Sequence, residues 1–305
     1  MSVQKKVKTA LDETRLLILG AQVLFGFQFN SVFQEGFREL PEHSKALNAL
    51  ALFLMMLSIA CLVAPAMRHR IVEQGEATKE TLSATTVLAS LALLPFAIAL
   101  GLDLFTVIAK VYGTMVGIAV GGAIFALSMF AWFILEFALR SRYREHRMPT
   151  KPDGAPTPLP AKIEQLLTEA RLVLPGAQAL LGFQFTAILT HAFIELPPAA
   201  KLTHVVALCC VALGTVLLMT PAALHRITFG GEDSPAFFRM ASAVVIVAPI
   251  PLALGIAADI DVAVGRALES PSLGRAIGLT TIVILAALWY GWPLWQRKSR
   301  PASAS

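Results

Sequence analysis

Glu13–Phe29 reads ETRLLILGAQVLFGFQF, and Glu169–Phe185 reads EARLVLPGAQALLGFQF. The correspondence runs on without a gap from Glu13/Glu169 to Asp103/Asp259, pairing Leu40-Pro41 with Leu196-Pro197, His69-Arg70-Ile71 with His225-Arg226-Ile227, and Pro95 with Pro251. One extra residue then enters the second copy, and Gly117, Gly121 and Trp132 match Gly274, Gly278 and Trp289. Self-similarity over such a period marks one structural unit used twice.

Each unit is built for lipid. Of the 305 residues, 56% are hydrophobic and 15% charged, with a mean hydropathy of +0.68. Eight nearly uncharged windows, 15–37, 46–67, 84–108, 112–136, 171–194, 202–224, 238–262 and 274–296, reach the roughly 20 residues a helix needs to cross a bilayer. A backbone in hydrocarbon must satisfy its own hydrogen bonds, and these runs are too long and too evenly apolar for barrel strands. The expected fold is an all-α polytopic membrane protein: eight transmembrane helices in two parallel four-helix repeats with pseudo-twofold symmetry about the membrane normal. The chain divides into an N-terminal arm 1–12, a first repeat 13–140, a Pro-rich basic linker 141–162, a second repeat 163–298 and a tail 299–305. Lys5, Lys6 and Lys8 before an apolar run resemble a signal peptide, but the same run recurs in mid-chain, so the first helix is expected to be a retained span.

Charge follows the membrane. With the N-terminus inside, most of the 25 Lys and Arg fall on the inner segments, which predicts a bacterial inner-membrane protein with both termini cytoplasmic. The cluster Arg140, Arg142, Arg144 and Arg147 reads as an anchor for anionic lipid at that face, not as a nucleic-acid patch. Cys61, Cys209 and Cys210 fall inside spans and read as packing residues.

Along the first helix, Arg15, Gln22, Gly26, Phe29 and Phe33 share one stripe, while Gln28 sits on another side, near mid-bilayer. An amide facing acyl chains would be left unpaired, so this helix and its counterpart are expected near the pseudo-axis, sheltered by protein. Gln22, Gln28, Gln178 and Gln184 then either tie helices together or line a polar pathway between the copies. Asp103 and Asp259, expected near the outer end of each third span, could join that pathway if they lie deeper. At the inner edge, Glu13, Arg15, His69 and Arg70, with Glu169, Arg171, His225 and Arg226, form a matched cluster, in which Glu13 is expected to pair with Arg70 or Arg15. It serves either as a structural edge or as a gate or headgroup site. Gly113, Gly117 and Gly121, echoed by Gly274 and Gly278, suit close helix packing. Pro95, with Pro249 and Pro251, predicts a kink or break. Glu136 has no acidic partner in the second copy.

No catalytic motif, metal-ligand spacing or cofactor fingerprint is present, so neither enzyme nor cofactor is expected. The Glu-x-Arg, Gly-Ala-Gln and Gly-Phe-Gln-Phe pattern, with APAMRHRI at 64–71, resembles a bacterial family of small four-span membrane proteins of unknown function. Arg171, Pro175, Gly176 and Gln178, with TPAALHRI at 220–227, resemble it more closely; the first copy has Leu19 in place of that proline. The resemblance implies a tandem fusion of units that elsewhere pair. Some members carry a sodium:proton antiporter label, which names no residues to carry over. Two readings follow: a transporter-like protein that moves or binds a small ion or polar solute at the inter-repeat axis, with or without proton coupling (cation/proton antiport), or a non-transporting structural, lipid-organising or partner-regulating membrane protein.

Overall fold

In the computed structural model, residues 3–134, 157–225, Phe229 and 233–299 are described, and every regular element among them is helical. The first half contains α1 (Val3–Ser31), α2 (Glu42–Ile71), α3 (Lys79–Tyr112) and α4 (Thr114–Met129). The second contains α5 (Leu159–Ile188), α6 (Pro198–Ala223), α7 (Pro235–Val247), α8 (Pro249–Ala267), α9 (Pro271–Ala286) and α10 (Trp292–Ser299). The arginine cluster at 140–147, Glu136, most of the linker and Arg226 lie outside the described residues, as does the side chain of Glu13.

Local chemistry sets the helix ends. Pro41 and Pro197 immediately precede α2 and α6, where a missing N–H costs nothing. The Thr78 hydroxyl accepts from the Thr81 amide at 3.1 Å to cap α3, and Ser234 caps α7 through Phe237. Gly113, at φ +89°, turns the chain between α3 and α4. It therefore works as a turn residue and not as part of the expected packing row. The other glycines of that row do pack: a Cβ on Gly117 or Gly121 would run into Ala109, Phe105 and Gly101 of α3. On Gly274 or Gly278 it would meet Asp261, Ala257 and Gly265 of α8.

The proline expectation divides between the halves. With Pro95 alone, α3 runs through unbroken, and the Ser58 hydroxyl donates to the nearby Ala92 carbonyl at 3.0 Å. With Pro249 and Pro251 together, the matching helix separates into α7 and α8 at Ala248, where Tyr290 Oη donates to the Ile246 carbonyl at 2.8 Å. Two missing N–H groups two residues apart exceed what one turn tolerates. The fourth helix of each half ends in a π turn, Phe130–Ile134 and Ala287–Gly291.

Six described segments are long and apolar enough to cross a membrane: Glu42–Ile71, Lys79–Tyr112, Thr114–Ile134, Pro198–Ala223, Pro235–Ala267 and Pro271–Ser299. The leading helices α1 and α5 are not among them, because their glutamines and charged first turns lower the hydropathy; the uninterrupted apolar part of α1 is Leu17–Ser31. Large apolar side chains face outward on the peripheral helices, among them Val107, Val111, Met115, Leu127, Val216, Leu279 and Val283. So much exposed hydrocarbon suits acyl chains and not water, which makes this a multi-pass membrane protein.

α1 and α5 lie side by side and parallel: Gln22 meets Gly176, and Gly26 and Phe27 meet Phe183. The halves therefore point the same way, with the ends of α2 and α10 and the starts of α3 and α5 on one face, called here the terminal face. The packing around that pair is unequal. α2 is buried along almost its whole length from Ala51 to Ile71, because α8, α10 and the second π turn cover it as well as its own neighbours. The Trp289 indole N–H reaches the Ala60 carbonyl at 3.0 Å in that contact. Its counterpart α6 leaves Leu202, Val206, Leu213 and Val216 exposed. The expected twofold is thus not kept in these contacts.

A paired glutamine–aspartate site, open in one half and sealed in the other

α1 ends at Ser31, well short of the expected 37, so Gln28 sits one turn from the helix end and not at its middle. α3 instead continues to Tyr112, nine residues past Asp103, and places that carboxylate more than two turns inside the helix. The two meet: Gln28 Nε2 donates to Asp103 Oδ2 at 2.6 Å. The second half repeats the bond, Gln184 Nε2 to Asp259 Oδ2 at 2.7 Å. In each half a leading-helix amide thus reaches the acid of the third helix. Such a bond between helices is worth about 0.6–2 kcal/mol in a bilayer.

The surroundings differ. Beside Gln28 and Asp103 lies a cleft of about 430 Å³ between α1 and α3, walled by Leu24, Phe27, Phe37, Leu40, Val107 and Val111. Asn48 and Ser31 complete its polar floor: Asn48 Nδ2 donates to Ser31 Oγ at 3.3 Å, and Ser31 Oγ donates to the Gln28 carbonyl at 2.7 Å. Gln28 Oε1 and Asn48 Oδ1 are buried without a hydrogen-bond partner. Lys110 stands at the mouth, its ammonium on the Gly36 carbonyl at 2.6 Å and on Glu39 at 3.1 Å.

At the position matching Asn48 the second half carries His204, fully buried. Its Nε2–H donates to the Gln184 carbonyl at 3.2 Å, and Nδ1 lies 3.5 Å from Asp259 Oδ1. Phe29 stacks on the imidazole at 5.6 Å, Phe193 meets it edge-on at 5.1 Å, and Phe33 closes a third side at 6.3 Å. Asp259 is completely buried, and the residues matching Phe29 and Phe33, namely Phe185 and Leu189, turn outward, so the buried Asn48 borders the cleft instead of an aromatic cage.

The four amides do not converge on an axis. Gln22 is buried, Gln178 is exposed, and Gln28 and Gln184 are each committed to the acid of their own half. The seam between the halves is close-packed and mostly apolar, filled by Ile18, Ala21, Phe25, Phe29, Leu172, Val173, Ala177 and Leu180 around Gln22. The reason is steric. Gln22 occupies the space a side chain on Gly176 would need, whereas Gly20, the symmetric position, faces open space, so Gln178 has no equivalent seat.

On the terminal face, the carboxylate that Arg70 meets among the described residues is Glu169. Arg70 reaches across to it, donating through Nε at 2.9 Å and Nη2 at 2.6 Å, while His69 Nδ1 contacts the other carboxylate oxygen at 2.7 Å. All three side chains are buried. Arg68 bonds Glu73 at 2.8 Å and Gln296 at 2.7 Å, and lies over the Trp292 ring. The matching residues behave otherwise: His225 contacts Asp233 at 3.4 Å, Arg171 is exposed and Arg15 is half-buried. Between α2 and α3, Glu76 pairs with Lys162 and accepts from the Thr157 amide at 2.8 Å. Burial would raise the Glu76 carboxyl, but the Lys162 ammonium and Thr157 outweigh it and hold the group below its ordinary value.

A family model describing DUF6328, a family of unknown function, matches residues 2–136 and again residues 160–293. The chain belongs to DUF6328. No curated protein and no solved structure matches it. Each DUF6328 segment contains one glutamine–aspartate pair, and the Glu169–Arg70 contact joins the two segments. Among the described residues no group of three or more His, Cys, Asp or Glu is placed to hold a metal ion. His204 and Asn48 escaped the sequence reading, as did Arg68, Glu76 and Gln296. The signal for the first two was present: they are matched polar residues, unlike in kind, within an apolar helix. Asp103 and Gln28 were singled out separately; their bond was not.

Proposed function

We propose that this DUF6328 chain is a transporter-like protein that binds a small cation or polar solute in the cleft of its first half and exchanges it for a proton on Asp103. In this reading α1 and α5 also span the bilayer, giving eight spans in two tandem four-helix copies. It lies in a bacterial inner membrane with both termini cytoplasmic and anionic lipid at the basic inner face. The Gln28–Asp103 bond beside a cleft open to the surface carries the proposal, since a carboxylate in an apolar helix that can be reached from outside the protein suits ion and proton relays. The close-packed seam moves the solute from the inter-repeat axis into one half. The sealed second half then serves as scaffold.

The test is a flux screen in proteoliposomes under an imposed pH gradient, with Na+, K+ and small ammonium ions. Wild type should couple one of them to proton movement, and Asp103→Asn, which can still accept from Gln28, should abolish the flux while the unfolding midpoint is kept. Absence of any proton-coupled flux overturns the proposal. A second reading rests on the same two bonds: repeated in both halves around a close-packed seam, they tie helices in a protein that transports nothing. Lost stability in Gln28→Leu with Gln184→Leu, without a wild-type flux, would support that reading.

A further inference from the structure

The floor of the cleft is weighted toward acceptors. Each of its donor atoms already has a partner, Gln28 Nε2 in Asp103, Asn48 Nδ2 in Ser31, and Ser31 Oγ in the Gln28 backbone carbonyl. The atoms there that are buried with no partner at all are both acceptors, Gln28 Oε1 and Asn48 Oδ1, each on a side chain more than nine-tenths buried, beside the Asp103 carboxylate. An anion or a pure acceptor would meet repulsion there. A ligand carrying N–H donors and positive charge would satisfy all three groups together. The rest of the wall is apolar, and Phe27, Val107 and Val111 at its edge are 56%, 61% and 64% exposed, so the cleft opens sideways toward acyl chains. About 430 Å³ is far more than a bare metal ion fills and lies within the range of small organic ligands.

We infer that the cleft takes a lipophilic ammonium: a protonated primary or secondary amine whose head reaches Gln28, Asn48 and Asp103 and whose apolar body lies between α1 and α3. This rests on the cleft being a solute site, as proposed above, and names the solute. A free amine and the ethanolamine headgroup of a lipid share this chemistry. The second half takes no such ligand, because His204 already stands against Asp259 and its aromatic neighbours fill the space.

The experiment uses the full chain in phosphatidylcholine nanodiscs, titrated calorimetrically with 4-phenylbutylammonium, its N-trimethylated form and 4-phenylbutanol. The ammonium should bind at least about tenfold more tightly than either relative, one lacking the N–H donors and the other the charge. Asp103→Asn should weaken it by about tenfold or more, and Val107→Trp, a change at an exposed position that narrows the mouth, should weaken it without touching the floor. Competition by added phosphatidylethanolamine assigns the lipid headgroup as the source; its absence assigns a free amine. Equal binding of the three probes, or full binding by both variants, overturns the inference. Proton-coupled flux of an inorganic cation through Asp103 without ammonium binding would sink the ligand assignment and keep the transport reading. Ammonium binding without flux would do the reverse.

Discussion

Replacing Glu169 by glutamine tests how the two halves are held together. The carboxylate is buried at the contact between α5 and α2 and receives two N–H groups of Arg70 besides the His69 contact. Glutamine keeps the size and one carbonyl acceptor but leaves the Arg70 guanidinium, 1% exposed, without a counter-charge. Breaking a buried pair by removing one partner costs about 3–5 kcal/mol, whereas replacing both partners by apolar groups of similar volume is often neutral. Glu169→Gln should therefore lose about 3–5 kcal/mol, and Glu169→Leu with Arg70→Met should lose much less. Unfolding in mixed micelles of dodecylmaltoside and dodecyl sulfate, followed by tryptophan emission, reads both, because Trp289 is buried in the same interface and Trp292 lies beneath Arg68. A loss below about 1 kcal/mol for Glu169→Gln would refute the reasoning, since surface pairs cost no more than that. So would a double variant that loses the sum of its singles, since a genuine pair must couple.

The close approach of α1 and α5 gives a paired prediction. Gly176→Ala should destabilise by about 1–3 kcal/mol, since its methyl group would overlap Gln22. Gly20→Ala, with open space at the new Cβ, should be neutral or stabilise by up to about 1 kcal/mol, as alanine does in a helix; thermal unfolding distinguishes them. The Glu76 tether has a pH signature. Its folded value is depressed, so its contribution is complete above the ordinary glutamate value of 4.5 and disappears as pH falls through the lower folded value. Protection of the Thr157 amide against hydrogen exchange should fall over that acidic range in wild type and be low at every pH in Glu76→Gln.

The chain by itself determined the helices, their repetition and several of their details. Lipid leaves the backbone no alternative to helix, and the recurrence of Glu13–Phe29 at Glu169–Phe185 is legible as identity at a fixed spacing. The doubled proline at 249 and 251 located the break between α7 and α8, and the glycines at 117, 121, 274 and 278 marked where α4 and α9 approach their neighbours. Gln28, Gln184, Asp103 and Asp259 stood out because polar groups in hydrocarbon demand partners. Which partners they found was left to the tertiary structure. A helix period says which residues share a face but not how far that helix is rotated against its neighbour, and a few degrees decide whether an amide meets an aspartate or a pseudo-symmetric amide. Two like helices in contact cannot both fill the same crossing: Gln22 took the gap at Gly176, Gln178 was left outside, and α1 laid Phe29 and Phe33 over His204 while the matching Phe185 and Leu189 turned outward. Matched Gln–Asp pairs thus acquired unequal surroundings, partly because Asn48 matches His204 in the repeat and partly because close packing admits one side chain per hole.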